Sequence, residues 1–196
     1  NNITIDLMGY TLTFANVSTG RGISNTGKTN VTIKNGTLIQ GNLSIINNRG
    51  VWWSTGANYG NISNITIFVN NTNSYGIYLL SSSNNNTVSG TGNSNTSYGI
   101  YLYSFSNNNT VSGTGNSNIS QGIRLESSSN NNTVSGMGNS NTNIGIYLLS
   151  SSNNNTVSGT GNSNTSYGIR LDSSSNNNIT GKFNTNSTTS TIGDIL

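Results

Sequence analysis

Side chains that could carry chemistry are scarce in this sequence. The 196 residues include four carboxylates, Asp6, Glu126, Asp172 and Asp194, and they include neither His nor Cys. Ser–His and Cys–His nucleophile systems are therefore impossible. A calcium site usually needs several clustered carboxylates, and disulfides and thiolate metal sites need Cys. The sequence thus predicts no metal and no other cofactor.

Glu126 and Asp172 are the best candidates for acid–base chemistry, because they lie two copies of a 23-residue repeat apart. If each copy is one coil of a solenoid, the two carboxylates are about 10 Å apart. An inverting glycosidase needs a separation of roughly 6.5–9.5 Å. Arg124 and Arg170 stand two positions before the two acids. We favour surface Arg–carboxylate contacts, which contribute little stability, and we predict that the protein is not an enzyme.

Composition narrows the class of protein. Only 6% of residues are charged, the net charge is +3, and no basic stripe exists, so we expect no nucleic-acid partner. No apolar run approaches the roughly 18 residues of a membrane span. Low complexity is typical of disorder, but Pro is absent and apolar residues recur at fixed places. The chain opens on "NNITIDL", without a signal peptide, which predicts a mature or trimmed product.

A repeat of 23 residues organises most of the chain. The dipeptide Gly-Ile recurs with this step at Gly76, Gly99, Gly122, Gly145 and Gly168. Repeats of this length indicate a solenoid. In "GIYLL", Ile77 and Leu79 alternate with Tyr78 and Leu80, and "NTVSG" forms a second short strand that points Val88 inward. Each repeat therefore predicts one coil of parallel strands, about 4.8 Å above the previous coil.

Equal spacing stacks identical residues in columns. The predicted inner columns are Ile77, Ile100, Ile123, Ile146 and Ile169; Leu79, Leu102, Leu125, Leu148 and Leu171; and Val88, Val111, Val134, Val157 and Ile179. A third strand is predicted to point a structural ladder of Asn amides inward. Its members are Asn93, Asn116, Asn139 and Asn162. Stacked Asn side chains hydrogen-bond from one rung to the next in stacked β structures.

We predict a single β-helix domain over residues 1–196. "RGIS" at Arg21 and "RGVW" at Arg49 align with "YGIY" at Tyr75, with longer steps between them. Residues 1–73 are therefore expected to form irregular coils with longer loops, residues 74–181 regular coils, and residues 182–196 a C-terminal tail. The whole gives about seven to eight coils.

The segments "ITIDLMGYTLTF", "NVTIKNGTLIQG" and "GIYLLSSSNNNTVSG" carry a family resemblance. They resemble repeats of the right-handed parallel β-helix proteins of the pectate-lyase-like, NosD-like group, including surface adhesin-like proteins of methanogenic archaea. The resemblance covers nearly the whole chain. It implies an all-β, right-handed parallel β-helix and an archaeal surface protein. It does not decide function, because this fold hosts lyases, hydrolases, binding proteins and inert spacers.

Outward positions of the Gly-Ile strands are the candidate interface or glycan-stacking residues. They are Trp52, Tyr78, Leu80, Tyr101, Tyr103, Arg124, Tyr147, Leu149 and Arg170. Exposed apolar patches of this kind mark interaction sites, and Arg124 between Tyr101 and Tyr147 suggests cation–π stacking. A self-stabilising aromatic ladder, lateral packing against another copy and sugar stacking are all consistent with the pattern. We favour packing between copies, and a cleft would form best around Val51–Gly60.

Two further patterns concern the surface. Rows of Thr (Thr87, Thr110, Thr133, Thr156) beside Ser resemble the arrays of ice-binding solenoids, a minor alternative. Asn-x-Ser/Thr sequons predict N-glycosylation and an extracellular location. The candidate positions are Asn85, Asn95, Asn108, Asn118, Asn131, Asn154 and Asn164.

The sequence as a whole predicts an extracellular structural or adhesive β-solenoid at a cell surface. We expect it to assemble with itself into a fibre, sheath or surface layer through open ends and the Tyr/Leu/Arg face. Its expected partners are copies of itself, with surface polysaccharide as a further partner. The alternative is a carbohydrate-binding or polysaccharide-cleaving β-helix.

Overall fold

The chain winds into a β-solenoid of about seven turns with a spacing of about 23 residues. The computed structural model describes residues 2–163 and 165–185. Within these residues every strand pair is parallel, and there is no helix. The predicted all-β solenoid is thereby confirmed.

Sheet B is the seven-stranded sheet that carries the Gly-Ile segments. Its strands are β3 (Arg21–Thr26), β5 (Arg49–Ser54), β7 (Tyr75–Leu80), β10 (Ile100–Tyr103), β13 (Ile123–Glu126), β16 (Ile146–Leu149) and β19 (Ile169–Asp172). They pair in chain order, so each coil contributes one strand. Arg21 pairs with Arg49 and Arg49 with Tyr75, which places the irregular coils in register with the regular ones.

Sheet A has fourteen strands and closes the rest of each coil. The early strands are β1 (Ile3–Asp6), β2 (Thr11–Phe14), β4 (Val31–Gln40) and β6 (Asn61–Val69). In each regular coil a two-residue strand precedes a four-residue strand. The two-residue strands are β8 (Thr87–Val88), β11 (Thr110–Val111), β14 (Thr133–Val134), β17 (Thr156–Val157) and β20 (Asn178–Ile179). The four-residue strands are β9 (Thr91–Ser94), β12 (Thr114–Ser117), β15 (Met137–Ser140), β18 (Thr160–Ser163) and β21 (Lys182–Thr185).

The long strand β6 is the junction between the two regions of the chain. Its first residues pair with β8, and its last residues pair with β9. One strand of an early coil therefore continues as two shorter strands separated by a bend in the regular coils. Strand β21 lies where the tail was predicted to begin, while Ile192, Ile195 and Leu196 lie outside the described residues.

The apolar core is a set of three stacked columns, as predicted. Ile100 pairs with Ile77 and Ile123, and the Leu and Val columns stack with the same step. Ile77, Leu79 and Val88 are fully buried, as are most of their counterparts, while Ile179 is partly buried. Full burial of each such side chain contributes about 1.5–3 kcal/mol, so the columns hold the coils in one register.

The prediction that the Asn93 ladder points inward is wrong. Asn93, Asn116, Asn139 and Asn162 do stack in register. In β9, β12, β15 and β18, however, Gly and Ser face the interior and Asn faces outward and is half-buried. Gly92 and Gly99 approach so closely that a Cβ on either would overlap the backbone of the opposite strand. Because this corner of the coil has no room for an amide, the alternation places Asn outside.

A different Asn column forms the buried ladder. Asn86, Asn109, Asn132 and Asn155 are each 1% exposed. The Asn109 Oδ1 accepts from the backbone N–H of Asn86 at 2.8 Å, and the Asn109 amide donates to Asn132 at 3.2 Å. Each amide thus satisfies a buried backbone donor of the neighbouring coil, which would otherwise destabilise the fold.

This ladder explains the sequence "NNN". The first Asn accepts a backbone N–H from the next coil, as Asn84 does from Asn107 at 2.6 Å. The second, represented by Asn85, is exposed and has a left-handed backbone with φ of 58°. Asn tolerates this conformation better than most residues, and it turns the chain so that the third Asn points inward.

Candidate functional site

The outer surface of sheet B is an aromatic–arginine face, defined by the outward side chains of β5 to β19. The predicted column from Trp52 through Tyr78, Tyr101, Arg124 and Tyr147 to Arg170 is in register. Arg124 lies 5.7 Å from the Tyr101 ring centroid and 5.4 Å from that of Tyr147. The predicted cation–π stacking is therefore confirmed.

The aromatic part of this face is covered by its own side chains. The rings of Tyr78 and Tyr101 stack at 4.8 Å with an interplanar angle of 3°, and Tyr75 stacks on Tyr98 at 5.4 Å beside them. Tyr78 and Tyr101 are only 8% and 6% exposed. The prediction that these two side chains are exposed is wrong, because the second row of Tyr rings shields the first.

The positions predicted to be solvent-facing in the next column are also partly covered. Leu80, Tyr103 and Leu149 are half-buried. The face is therefore a closed aromatic ladder and offers less apolar contact area than the sequence predicts.

Both candidate carboxylates of this face are engaged. Arg124 contacts Glu126 at 2.9 Å, and Arg170 contacts Asp172 at 3.0 Å. The Tyr101 hydroxyl donates to Glu126, and the Tyr147 hydroxyl donates to Asp172. The predicted Arg–carboxylate contacts are confirmed, and each is extended by a phenol from the preceding coil.

Burial sets the ionisation of these phenols. Burial raises the pKa of Tyr147 to about 12, with a further contribution from its hydrogen bond to Asp172. The pKa of Tyr101 is also raised, first by burial and then by the hydrogen bond to Glu126. Both phenols remain protonated donors at neutral pH, which suits a fixed network.

The segment predicted to border a cleft, Val51–Gly60, mostly fills the core. Trp53 and Ala57 are fully buried, while Tyr59 is exposed. Neither the cavity at the start of β3 and β5 nor the cavity beside the four-residue strands includes a residue of this segment.

One cavity, of about 320 Å³, lies where β3 and β5 begin. It is lined by Thr19, Gly20, Arg21, Asn47 and Arg49. The Arg21 guanidinium lies 3.1 Å from the centroid of the Trp52 ring, and that of Arg49 lies 5.3 Å from Tyr75. No carboxylate pairs with either arginine within the part of the chain that the structure describes.

A second cavity, of about 350 Å³, lies on the outer surface of the four-residue strands, and we call it the asparagine groove. Its lining residues are Ile39, Gln40, Leu43, Phe68, Val69, Asn70, Asn93, Ser94, Asn95, Asn116, Ser117 and Asn118. No lining residue is charged. Phe68, Leu43 and Ile39 expose 47%, 57% and 37% of their surface and form its apolar end.

Two rows of amides run from this apolar end along the solenoid. Asn116 donates to Asn93 at 2.7 Å, and Asn118 donates to Asn95 at 2.6 Å. The wall that carries Leu43 is fixed, since buried Gln40 donates to the carbonyls of Asn42 and Ile45. The groove is therefore built from ladder contacts and an anchored loop.

The Thr row and the candidate glycosylation residues are the remaining predicted surface positions. Thr87, Thr110 and Thr133 are exposed on the two-residue strands and Thr156 is half-buried, which confirms that the Thr row faces outward. Asn85, Asn108, Asn131 and Asn154 are exposed, as are Asn95 and Asn118, while Asn164 lies outside the described residues. Glycosylation and ice binding stay predictions.

Among the described residues there is no group of three potential metal ligands and no helix long and apolar enough to cross a membrane. No family model, curated protein or solved structure matches the chain. The family resemblance and the archaeal origin therefore stay predictions.

The sequence contains one feature that indicates each cavity. Arg21 and Arg49 align at the same position of successive coils, which predicts two adjacent cations. Phe68 stands in register with Asn93, so the Asn row ends at an aromatic ring. The arginine signal is visible in the aligned segments "RGIS" and "RGVW", whereas the position of Phe68 becomes apparent only when the register of β6 and β9 is known.

Proposed function

We propose that this protein is an extracellular structural and adhesive β-solenoid, whose copies join into a fibre, sheath or surface layer. The observation that carries the proposal is the set of axial ladders, apolar, aromatic and amide, that link coil to coil on every side of the solenoid. Such nearest-neighbour stacking makes a rod whose stability accumulates along its axis.

Unpaired strand edges support axial joining. Within the described residues, β1 and β2 pair only with β4, and β3 pairs only with β5. The same coil exposes Ile3 and Leu12. Free parallel edges with apolar side chains are templates for pairing with another coil, and the proposed occupant is a coil of a second copy.

Sedimentation velocity over a wide concentration range tests this proposal, together with electron microscopy of the same samples. The informative variant is Leu12→Lys, which places a charge on the free edge. Thr87→Lys adds the same charge to an exposed position on the side of the rod. We expect wild type and Thr87→Lys to form rods that lengthen with concentration and Leu12→Lys to stay short. Strictly monomeric wild-type protein at high concentration would count against joining.

The asparagine groove favours a second function, binding of a neutral polysaccharide. An Asn amide has two N–H donors and an oxygen with two lone pairs. In the ladder Asn116 donates once to Asn93 and accepts once from Asn139, which leaves one donor and one lone pair for a ligand. A sugar hydroxyl both donates and accepts, so a row of such amides matches a row of hydroxyls. Phe68 supplies an apolar ring for the C–H face of a sugar.

Calorimetric titration with neutral gluco- and manno-oligosaccharides tests this binding. Removing the ring with Phe68→Ala should weaken affinity about tenfold or more, since burying Phe contributes about 1.5–3 kcal/mol. Phe105→Ala removes another exposed ring, which is 57% exposed and lies outside the groove. Equal affinities for the two variants would refute the assignment of the groove.

A further inference from the structure

We propose that Arg21 and Arg49 form a binding site for an oxyanion, a carboxylate or sulfate group of an acidic polymer or a free anion. The two arginines are direct partners in the register of β3 and β5, and both line the cavity of about 320 Å³. This site shares no lining residue with the asparagine groove and does not depend on the proposed structural function.

The two arginines have no compensating carboxylate among the described residues. Like charges directly opposite each other on neighbouring strands are destabilising. Burial lowers the pKa of Arg21, and repulsion from the Arg49 guanidinium lowers it further. Every carboxylate in the described residues is engaged elsewhere: Asp6 with Lys34, Glu126 with Arg124, and Asp172 with Arg170. An anion between the two arginines would relieve a repulsion that no described carboxylate compensates.

The N–H donors of the two arginines are held in place and still available to a ligand. Arg21 stacks on Trp52, and Arg49 is fixed by donating one N–H to the Asn47 carbonyl. A guanidinium has five N–H donors, so both guanidinium groups keep N–H donors for a ligand. The planar fork matches the two oxygens of a carboxylate, sulfate or phosphate. Asn47 lines the same cavity, and its side chain makes no hydrogen bond to another described residue, so its amide offers a further donor.

The cavity is suited to a single charged group. The cavity holds two arginines, and the adjacent rung of sheet B carries Tyr75 where a third cation would continue the row. A single oxyanion therefore fits the site, whereas a long run of phosphates would need a basic stripe. The chemistry favours one charged group of a larger chain or a small free anion.

Calorimetric titration of the full chain at constant ionic strength tests the site, with sodium sulfate, monomeric glucuronate and an oligouronate as probes. Arg21→Gln and Arg49→Gln should each weaken binding on the order of tenfold or more, because each removes charge-assisted hydrogen bonds. Lys28→Gln removes the same charge from an exposed position outside the cavity and should leave binding unchanged. Circular dichroism confirms that each variant is folded.

Arg21→Lys keeps the charge but loses the fork, so its affinity should fall between those of wild type and Arg21→Gln. Affinity that rises from monomer to oligouronate identifies an acidic polymer as the source of the group, and equal affinities identify a free anion. Both results support the site. Wild type that binds none of the probes, or binding that Lys28→Gln weakens as much as Arg21→Gln, overturns it.

Discussion

Replacing Asn109 by Ala is the most informative perturbation of the buried amide ladder. The Asn109 side chain accepts the backbone N–H of Asn86 and donates to the Ser83 carbonyl at 3.0 Å and to Asn132. An unsatisfied buried group costs about 1–3 kcal/mol, and each lost hydrogen bond costs about 0.5–1.5 kcal/mol. We therefore expect Asn109→Ala to lower the free energy of unfolding by about 2–5 kcal/mol.

The matched control is Asn116→Ala on the outer ladder. Asn116 makes one hydrogen bond to Asn93 and accepts one from Asn139, but it is half-buried and water can replace both. We expect a loss below about 1 kcal/mol. Urea unfolding measures both, with the slope of the transition checked for change. Equal destabilisation by the two variants would refute the distinction between a buried and a surface ladder.

Three further predictions concern packing, pH and charge. Gly115→Ala forces a Cβ into the backbone of Gly122 and should cost about 1–3 kcal/mol or more in urea unfolding. Gly20→Ala meets only ordinary contacts and should cost less. The folded-state pKa of Tyr147 is raised from 10 to about 12. Its contribution to stability is therefore complete below pH 10 and is lost as pH rises towards 12. When the urea midpoint is measured against pH, Tyr147→Phe should show a flatter decline over this range. Glu126→Gln should destabilise more than Asp172→Asn in thermal unfolding, because the Glu126 pair is less exposed; the reverse order would contradict this.

Much of the fold could be predicted from the sequence because every regular coil of a solenoid repeats the same strand pattern. The 23-residue step fixed which Ile, Leu and Val residues stack, and period-two alternation correctly placed Ile77 and Leu79 inside and Tyr78 on the outer side. The Arg–carboxylate pairs followed from their i, i+2 spacing on that same outer side.

The directions of the Asn side chains could not be predicted in the same way. The bend between β8 and β9 interrupts the alternation, so Val88 gives no information about which side Asn93 faces. The narrow corner at Gly92 and Gly99, where backbones touch, decides that question, and it becomes visible only when the coil closes. The left-handed turn at Asn85 likewise determines that Asn86 is the buried amide.

Burial on the outer face also depends on neighbours that alternation does not specify. Tyr75 and Tyr98 belong to the column beside Tyr78 and Tyr101, and their rings reach across to cover it. A sequence pattern gives the side of a strand on which a residue lies. It does not give the reach of large rings on the next column.

X-ray diffraction from aligned assemblies of the full chain tests the central claim most directly. If copies join axially, strands lie perpendicular to the fibre axis, and the pattern should show a meridional reflection at about 4.8 Å. Failure of the protein to assemble at high concentration, or a 4.8 Å reflection on the equator, would contradict axial joining of solenoid rods.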